Sequence, residues 1–317
     1  MRKTSALLVA LLAALLLAAP GTTARAAENG EWAVFPAASE LGGRPYFYLS
    51  ADTGGTIADR VTVSNKTAAP LTFRLYGADA YNTERDGGFA VRTRGEKQTG
   101  AGAWIRLGSE RVTVPARGHV TVPFTLTVPA DAEPGDHPGA VVALDERIAP
   151  GGSGSVAVGV QRAVGARVYL RVNGPTVPAL SVEDVTLDQD RPLVPGARES
   201  SALVSYTLHN RGNVTLNPRV ALRAEGVFGR TLLDRNLAKI PSELLPRQKI
   251  RLTERWADAP QFDWGQVTLT ATAKDVRESA HASFLALPWL VGVVLLTTGT
   301  GAGGWWLLRR RGMPSGR

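Results

Sequence analysis

The side chains that most often carry out chemistry are few and scattered in this chain of 317 residues. No histidine is spaced from another like a paired metal ligand, so the sequence predicts no zinc site. The clustered carboxylates lack the order and the distal glutamate of a calcium-binding loop. We therefore expect no metal, no cofactor and no catalytic residue, and we predict that the protein is not an enzyme. The residues considered are His119, His137, His209, His281, Asp131, Glu133, Asp136, Asp188 and Asp190.

Aromatic and polar residues around one long irregular segment offer a binding site instead. The segment runs over residues 82–102, and a loop of that length in a compact domain is usually functional or mobile. Aromatic rings beside amide and carboxylate groups are typical of sites that bind glycans. Large aromatic residues are also mostly buried, which favours a core role for Trp104. The candidate ligand-binding residues are Asp79, Tyr81, Asn82, Arg85, Arg92 and Trp104.

Strands of alternating apolar and polar residues must position these side chains. Residues 71–75, 120–128 and 164–172 alternate, and turn clusters rich in Pro, Gly and Asn separate them. Short strands at this spacing predict a β-sandwich. Pro123 has no backbone N–H, so its strand is expected at a sheet edge or at a bulge.

A second set of strands follows Asn173-Gly174-Pro175 and predicts a second domain. Val204, Tyr206 and Leu208 alternate with polar residues, as do residues 267–273. Ile250, Leu252, Glu254 and Trp256 share one face of another strand, where the glutamate interrupts an apolar series. The fold class is therefore predicted as all-β, with two tandem immunoglobulin-like β-sandwich domains at residues 27–175 and 176–283.

The two ends of the chain are its most hydrophobic parts. Residues 1–26 carry a basic start, an apolar run and small residues at a cleavage site, which predicts a secretory signal peptide. Residues 284–308 contain no charged side chain, which predicts a transmembrane helix. Arg309, Arg310 and Arg311 open a basic tail at 309–317 that is expected to stop transfer and stay in the cytoplasm. The predicted location is the cell membrane, with a single span and an extracellular N-terminal part.

The basic character of the chain belongs to these ends. The formal net charge is +8, and the two end segments hold seven basic and no acidic residues, so the rest carries 8 − 7 = +1. Such a balance does not favour binding to nucleic acid through counterion release. The absence of cysteine leaves core burial, not disulfides, to stabilise the fold.

Five segments of the predicted first domain together resemble the peptidoglycan-binding domain of the WxL-interacting protein family, over about residues 30–172. They are residues 32–36, 46–49, 59–65, 78–82 and 128–142. The resemblance implies a bacterial surface protein that binds peptidoglycan noncovalently and associates with other cell-surface proteins. The second domain matches that family less clearly than the first.

Three functions follow from these patterns. The leading one is a membrane-anchored protein that binds peptidoglycan and mediates interactions with other surface proteins. One alternative is an envelope glycan-remodelling enzyme or its accessory subunit, because a glycan hydrolase needs only two carboxylates brought together by the fold. Another is a structural partner that pairs strands with a second protein at an open sheet edge, which is β-augmentation.

Overall fold

The computed structural model describes residues 27–39, 42–151, 158–192, 197–287 and 289–311. In these ranges the regular elements are β-strands, apart from two α-helices and one 3₁₀ turn. The chain divides into two compact units. Unit 1 comprises Met1–Asp79, Thr93–Asp131 and Gly139–Leu170, and unit 2 comprises Ala80–Arg92, Ala132–Pro138 and Arg171–Arg317.

The strands are numbered here in chain order. The first thirteen are β1 (Ala27–Glu28), β2 (Trp32–Pro36), β3 (Phe47–Ala51), β4 (Thr56–Asn65), β5 (Leu71–Asn82), β6 (Phe89–Val91), β7 (Ile105–Leu107), β8 (Arg111–Val114), β9 (His119–Thr127), β10 (Gly135–Asp145), β11 (Ala149–Gly151), β12 (Val158–Val160) and β13 (Ala163–Val172). The remaining seven are β14 (Leu180–Asp190), β15 (Ser201–Asn210), β16 (Arg219–Glu225), β17 (Thr231–Asn236), β18 (Lys249–Ala257), β19 (Asp263–Ala273) and β20 (Val276–Ala286). Helix α1 spans Ala101–Trp104, the 3₁₀ turn spans Val227–Gly229, and helix α2 spans Trp289–Arg311.

Unit 1 is an immunoglobulin-like sandwich of two sheets. One sheet has the strand order β1-β2-β4-β9-β7, and the other has the order β3-β13-β10-β5, with β8 also paired to β5. Two aromatic contacts join the sheets across the core. The ring of Trp32 lies 5.3 Å from that of Phe73, and the ring of Phe47 lies 5.1 Å from that of Phe124. All four side chains are buried, so the period-two alternation seen in the sequence does place one face of each strand inside.

Pro123 lies within β9, opposite Arg60 of β4. On the other side of β9, β7 pairs only with residues 124–126, and the Pro123 carbonyl accepts a hydrogen bond from Gly108 N–H at 2.8 Å. The missing N–H of Pro123 therefore falls where the neighbouring strand has ended, although β9 itself lies between β4 and β7 and is not the edge strand that was expected.

Unit 2 contains a second immunoglobulin-like sandwich. Its sheets have the orders β14-β15-β18 and β17-β16-β19-β20. Val204, Tyr206 and Leu208 on β15 are buried, as the alternation predicts, and they pack in one cluster with Leu222 and Leu269 of the facing sheet. The 80–92 segment, which belongs to this unit, pairs the end of β5 with β6 as a short hairpin. The predicted long loop at 82–102 is thus partly ordered as β6 and α1.

The predicted transmembrane helix at residues 284–308 is not present. Phe284 to Ala286 are the last residues of β20, paired with the start of β19, and α2 begins only at Trp289. Five glycines and three threonines among residues 289–308 lower the hydropathy of what remains. No helix in the described part of the chain is long and apolar enough to cross a bilayer. The predicted membrane span and the predicted cell-membrane location are therefore wrong, whereas the stop-transfer role of the arginines stays a prediction.

The three arginines that end this segment belong to helix α2. Helix α2 continues through Arg311, and the Arg309 guanidinium lies 4.1 Å from the ring centroid of Trp305. The rest of the predicted tail, and the predicted signal peptide at 1–26, lie outside the described residues.

Candidate functional site

Asp79, the first predicted ligand-binding residue, is a structural anchor of unit 1. Its carboxylate is buried and accepts three backbone N–H groups, from Thr99 at 2.5 Å, Gly100 at 2.9 Å and Gly102 at 2.7 Å. These bonds hold the segment before α1 against β5. The approach is so close that a Cβ on Gly102 would lie 2.4 Å from the carbonyl carbon of Ala78. The carboxylate is fully used by the fold and is directed away from solvent.

Asn82 has the same kind of role in unit 2. Its side-chain N–H groups donate to the carbonyls of Gly87 at 2.7 Å and Glu243 at 2.8 Å, and its Oδ1 accepts the N–H of Leu245 at 2.8 Å. The side chain is only 3% exposed. Its amide closes the 80–92 hairpin onto the sandwich and leaves no group for a ligand.

The other predicted residues are more open. In unit 2 the Arg92 guanidinium lies 6.0 Å from the ring centroid of the half-buried Tyr81, and Arg85 is exposed. In unit 1 Trp104 is half-buried at the end of α1. Tyr81 and Arg92 are thus brought together, while the predicted glycan site as a whole, with Asp79 and Asn82 as its hydrogen-bonding groups, stays a prediction.

A different feature of unit 1, the open side of β13, has the geometry of a binding site. β13 has ten residues, β10 pairs with it on one side, and its other neighbour, β3, has only five. The Tyr46 ring lies 5.6 Å from the Arg167 guanidinium, and the Tyr48 ring lies 5.4 Å from that of Tyr169. These contacts place β3 beside residues 167–169. Residues 163–166 therefore have no neighbouring strand on that side among the residues described.

The direction of the backbone groups in this open stretch follows from one hydrogen bond. Asp145 N–H of β10 donates to the Arg162 carbonyl at 2.9 Å, so Arg162 turns its backbone toward β10. Backbone groups alternate along a strand, and those of Ala163 and Gly165 therefore point to the open side. The Val164 and Ala166 side chains are buried, whereas Ala163 is exposed. The edge thus offers two N–H and two C=O groups, and Ala163 and Gly165, which carry them, have no charged side chain.

Arg162 fixes the start of this edge. Its guanidinium lies 5.0 Å from the ring centroid of the fully buried Trp32 and forms two hydrogen bonds with Glu31, of 2.7 and 2.8 Å. Hydrogen bonds from Arg162 lower the pKa of Glu31, with a further contribution from Arg147. The strand therefore enters its open stretch from a position held by an aromatic contact and an ion pair.

Three tyrosines and an arginine lie where the open stretch ends, and we call this set the tyrosine cluster. Tyr48 is 64% exposed and stacks on Tyr169 with an interplanar angle of 12°. Tyr46 packs edge-on against both, at 6.1 and 5.6 Å, and the Arg167 guanidinium donates to the Tyr169 hydroxyl at 3.1 Å. Aromatic rings held in this way give a large contact surface at little cost in conformational entropy.

Sequence patterns do not reveal the tyrosine cluster, because its members come from β3, from Tyr46 just before it and from β13, which are far apart in the chain. The alternation of residues 164–172 places Tyr169 and Arg167 on the outer face, and that signal was available. The pairing of β3 with β13 is not visible in the sequence.

No group of three or more His, Cys, Asp or Glu side chains that could hold a metal ion is found in the described ranges.

Comparisons with known proteins leave this fold without a family. No protein-family model matches the chain, and no curated protein matches it. A solved chaperone–tip adhesin complex of CFA/I fimbriae biogenesis is similar at 9% identity and a TM-score of 0.36, over 80% of this chain and 97% of that one. The class 5 fimbriae chaperone CfaA is similar at 10% identity and a TM-score of 0.33, over 81% and 99%. The Pseudomonas aeruginosa CupB2 chaperone is similar at 10% identity and a TM-score of 0.29, over 76% and 97%.

At such identities and TM-scores these resemblances show nothing about function. The resemblance to the WxL-interacting protein family is wrong, since no family model matches the chain and the predicted membrane helix is not found among the described residues. The segments that suggested it are strands and Pro-Gly or Asn turns, which many immunoglobulin-like sandwiches share.

Proposed function

We propose that this protein acts not as an enzyme but as a binding protein, which takes up an extended segment of another surface protein as a strand added to the open stretch of β13. The observation that carries the proposal is the mismatch between the ten residues of β13 and the five of β3. An unpaired edge whose own residues carry no charge is a ready template for a further strand.

Hydrogen bonds at this edge give only part of the affinity. Four main-chain bonds, at about 0.5–1.5 kcal/mol each, contribute roughly 2–6 kcal/mol before the cost of association. That sum alone corresponds to weak binding. Additional side-chain contacts are needed, and the tyrosine cluster at the end of the stretch supplies an aromatic surface for residues that flank the added strand. The cluster and the edge therefore form one site.

Peptidoglycan binding is not part of this proposal. It rested on the family resemblance and on a loop whose Asp79 and Asn82 are consumed by internal hydrogen bonds. The chaperone–adhesin complex among the similar structures is a protein–protein complex. The partner proposed for this chain is likewise a protein, and the proposal rests on the chain's own sheet edge.

Site-specific photo-crosslinking tests the proposal. A benzoylphenylalanine at Ala163 is expected to form adducts on partner segments with alternating apolar and polar residues, mapped by mass spectrometry. The matched control places the same group at Thr253, an exposed residue of the edge strand β18. Equal labelling from both positions, or adducts only on helical or globular surfaces of the partner, would contradict strand addition at β13.

A further inference from the structure

The glutamate that interrupts the apolar face of β18 has a partner in the facing sheet. Ile250, Leu252 and Trp256 on that face are buried, whereas Glu254 is only half-buried. Its Oε1 accepts a hydrogen bond of 2.6 Å from Nη2 of Arg235 on β17, which is an edge strand of the facing sheet. An inward-pointing charge on an edge strand is a known device against further pairing.

The same Arg235 nitrogen also occupies the backbone of β18. Nη2 donates to the carbonyl of Arg255 at 2.6 Å. Arg255 lies opposite Leu203 of β15, and β18 has no partner strand on its other side among the residues described. Because the Asn210 N–H of β15 donates to the Gln248 carbonyl at 3.0 Å, backbone alternation turns the Arg255 carbonyl to the free side, where an added strand would need it. Backbone alternation places the N–H of Thr253 on that side as well.

The two free edges thus differ in how they are covered. β18 presents a nine-residue edge with the exposed cations Lys249, Arg251 and Arg255, and Arg235 caps one of its acceptors. The open stretch of β13 presents Ala163 and Gly165. By length alone β18 is the better template, so something must keep partner strands away from it.

We infer that Arg235, held by Glu254, acts as a latch that closes the β18 edge and directs strand addition to β13. The role of this latch as a specificity-determining element rests on the proposed function. Its closure of the β18 edge does not depend on that function. Removing the guanidinium frees the Arg255 carbonyl and leaves Glu254 without its cation. The edge then becomes able to accept an extended peptide.

Amide hydrogen exchange on the full chain tests the latch, with the capped peptide (Thr-Val)₄ as the probe. In the wild type, saturating peptide is expected to slow exchange at Gly165 and leave Thr253 unchanged. In Arg235→Ala, exchange at Thr253 is expected to slow on the order of tenfold as well. Glu254→Gln, which keeps the side-chain shape, should act in the same direction to a smaller extent.

Arg223→Ala is the matched control, because Arg223 is another ion-paired arginine of unit 2, on the strand next to β17. It should behave as the wild type. The latch would be overturned if the peptide already slowed exchange at Thr253 in the wild type. It would also be overturned if the peptide failed to slow exchange at Thr253 in both Arg235→Ala and Glu254→Gln. If the peptide left exchange at Gly165 unchanged in every variant but slowed it at Thr253 in Arg235→Ala, strand addition at β13 would be refuted and the latch supported.

Discussion

Asn65 and Asn210 occupy equivalent corners in the two sandwiches. Each is the last residue of a strand and is almost completely buried, at 1% and 0% exposure. Each accepts the backbone N–H two residues on, from Thr67 at 2.9 Å and from Gly212 at 3.0 Å. Each donates to the carbonyl four residues on, at 2.7 and 2.8 Å. One asparagine side chain therefore shapes the same turn in both sandwiches.

Replacing either corner asparagine by alanine is expected to lower the free energy of unfolding by about 1–3 kcal/mol, because buried carbonyls and an N–H lose their partner. Urea unfolding of Asn65→Ala and Asn210→Ala measures the loss. Asn217→Ala is the control, since Asn217 is exposed and makes one bond to the Ser242 carbonyl. A loss no greater than that of Asn217→Ala would show that the corner bonds do not stabilise the turn.

These corners show what the sequence could and could not predict. Alternation in residues 120–128, 164–172 and 267–273 predicted strands that the structure contains, since the period of two is a local property. The composition of residues 65–70 predicts a turn, but it does not show that the Asn65 amide is buried and shapes this turn through internal hydrogen bonds. The β3–β13 pairing and the tyrosine cluster depend on residues distant in the chain, which periodicity does not bring together.

The ends of the chain give the opposite lesson. A charge-free run at 284–308 predicted one helix, yet its first residues complete β20 by pairing with β19. The ladder of a long strand overrides the local apolar signal there. Glu254 was visible as an interruption in an apolar face, but its meaning required Arg235, which lies on another sheet.

Asp79→Ala is expected to destabilise unit 1 by about 2–4 kcal/mol, because three backbone N–H groups lose a charged acceptor. The segment before α1 should also become sensitive to mild proteolysis, with cuts within residues 93–102. Denaturant unfolding and mapping of the first cleavage sites measure both effects. Gln98→Ala removes a neighbouring contact, the acceptor of the Asp79 N–H, and serves as a milder comparison. Unchanged cleavage in Asp79→Ala would show that the carboxylate does not hold this segment.

Tyr48→Ala is expected to weaken binding of a partner segment by about 1–3 kcal/mol, the range for truncating an aromatic residue at an interface hot spot. The melting temperature should change little, since Tyr48 is 64% exposed. Titration of the full chain with the crosslinked partner segment as a peptide measures the affinity. Tyr48→Phe keeps the stacked ring and should bind almost as the wild type does. Equal weakening by both changes would assign the effect to the hydroxyl and remove the stacking argument.

Glu183 predicts a pH dependence for unit 2. Hydrogen bonds from Arg211, Ser181, His209 and Lys249 lower the pKa of this carboxyl far below its usual value of 4.5. A carboxyl whose pKa is lower in the folded state adds stability above the unfolded pKa and loses it as the pH falls toward the folded pKa. Stability should therefore decline from about pH 5 downward, and Glu183→Gln should flatten that decline in urea unfolding at stepwise pH. An unchanged acid slope would show that solvent screens these ion pairs.

Two proline substitutions test the direction of the backbone on β13. Ala163 turns its N–H to the open side, so Ala163→Pro removes one donor to an added strand and leaves the pairing with β10 intact. Peptide binding should weaken by about 0.5–1.5 kcal/mol with little change in stability. Val164 turns its N–H to β10 and is buried, so Val164→Pro should cost about 3 kcal/mol or more of stability. Affinity from titration and unfolding in urea separate the two effects. If Ala163→Pro destabilised the protein as much as Val164→Pro does, the N–H of Ala163 would already be used within the fold, and the open stretch would not be available to a partner strand.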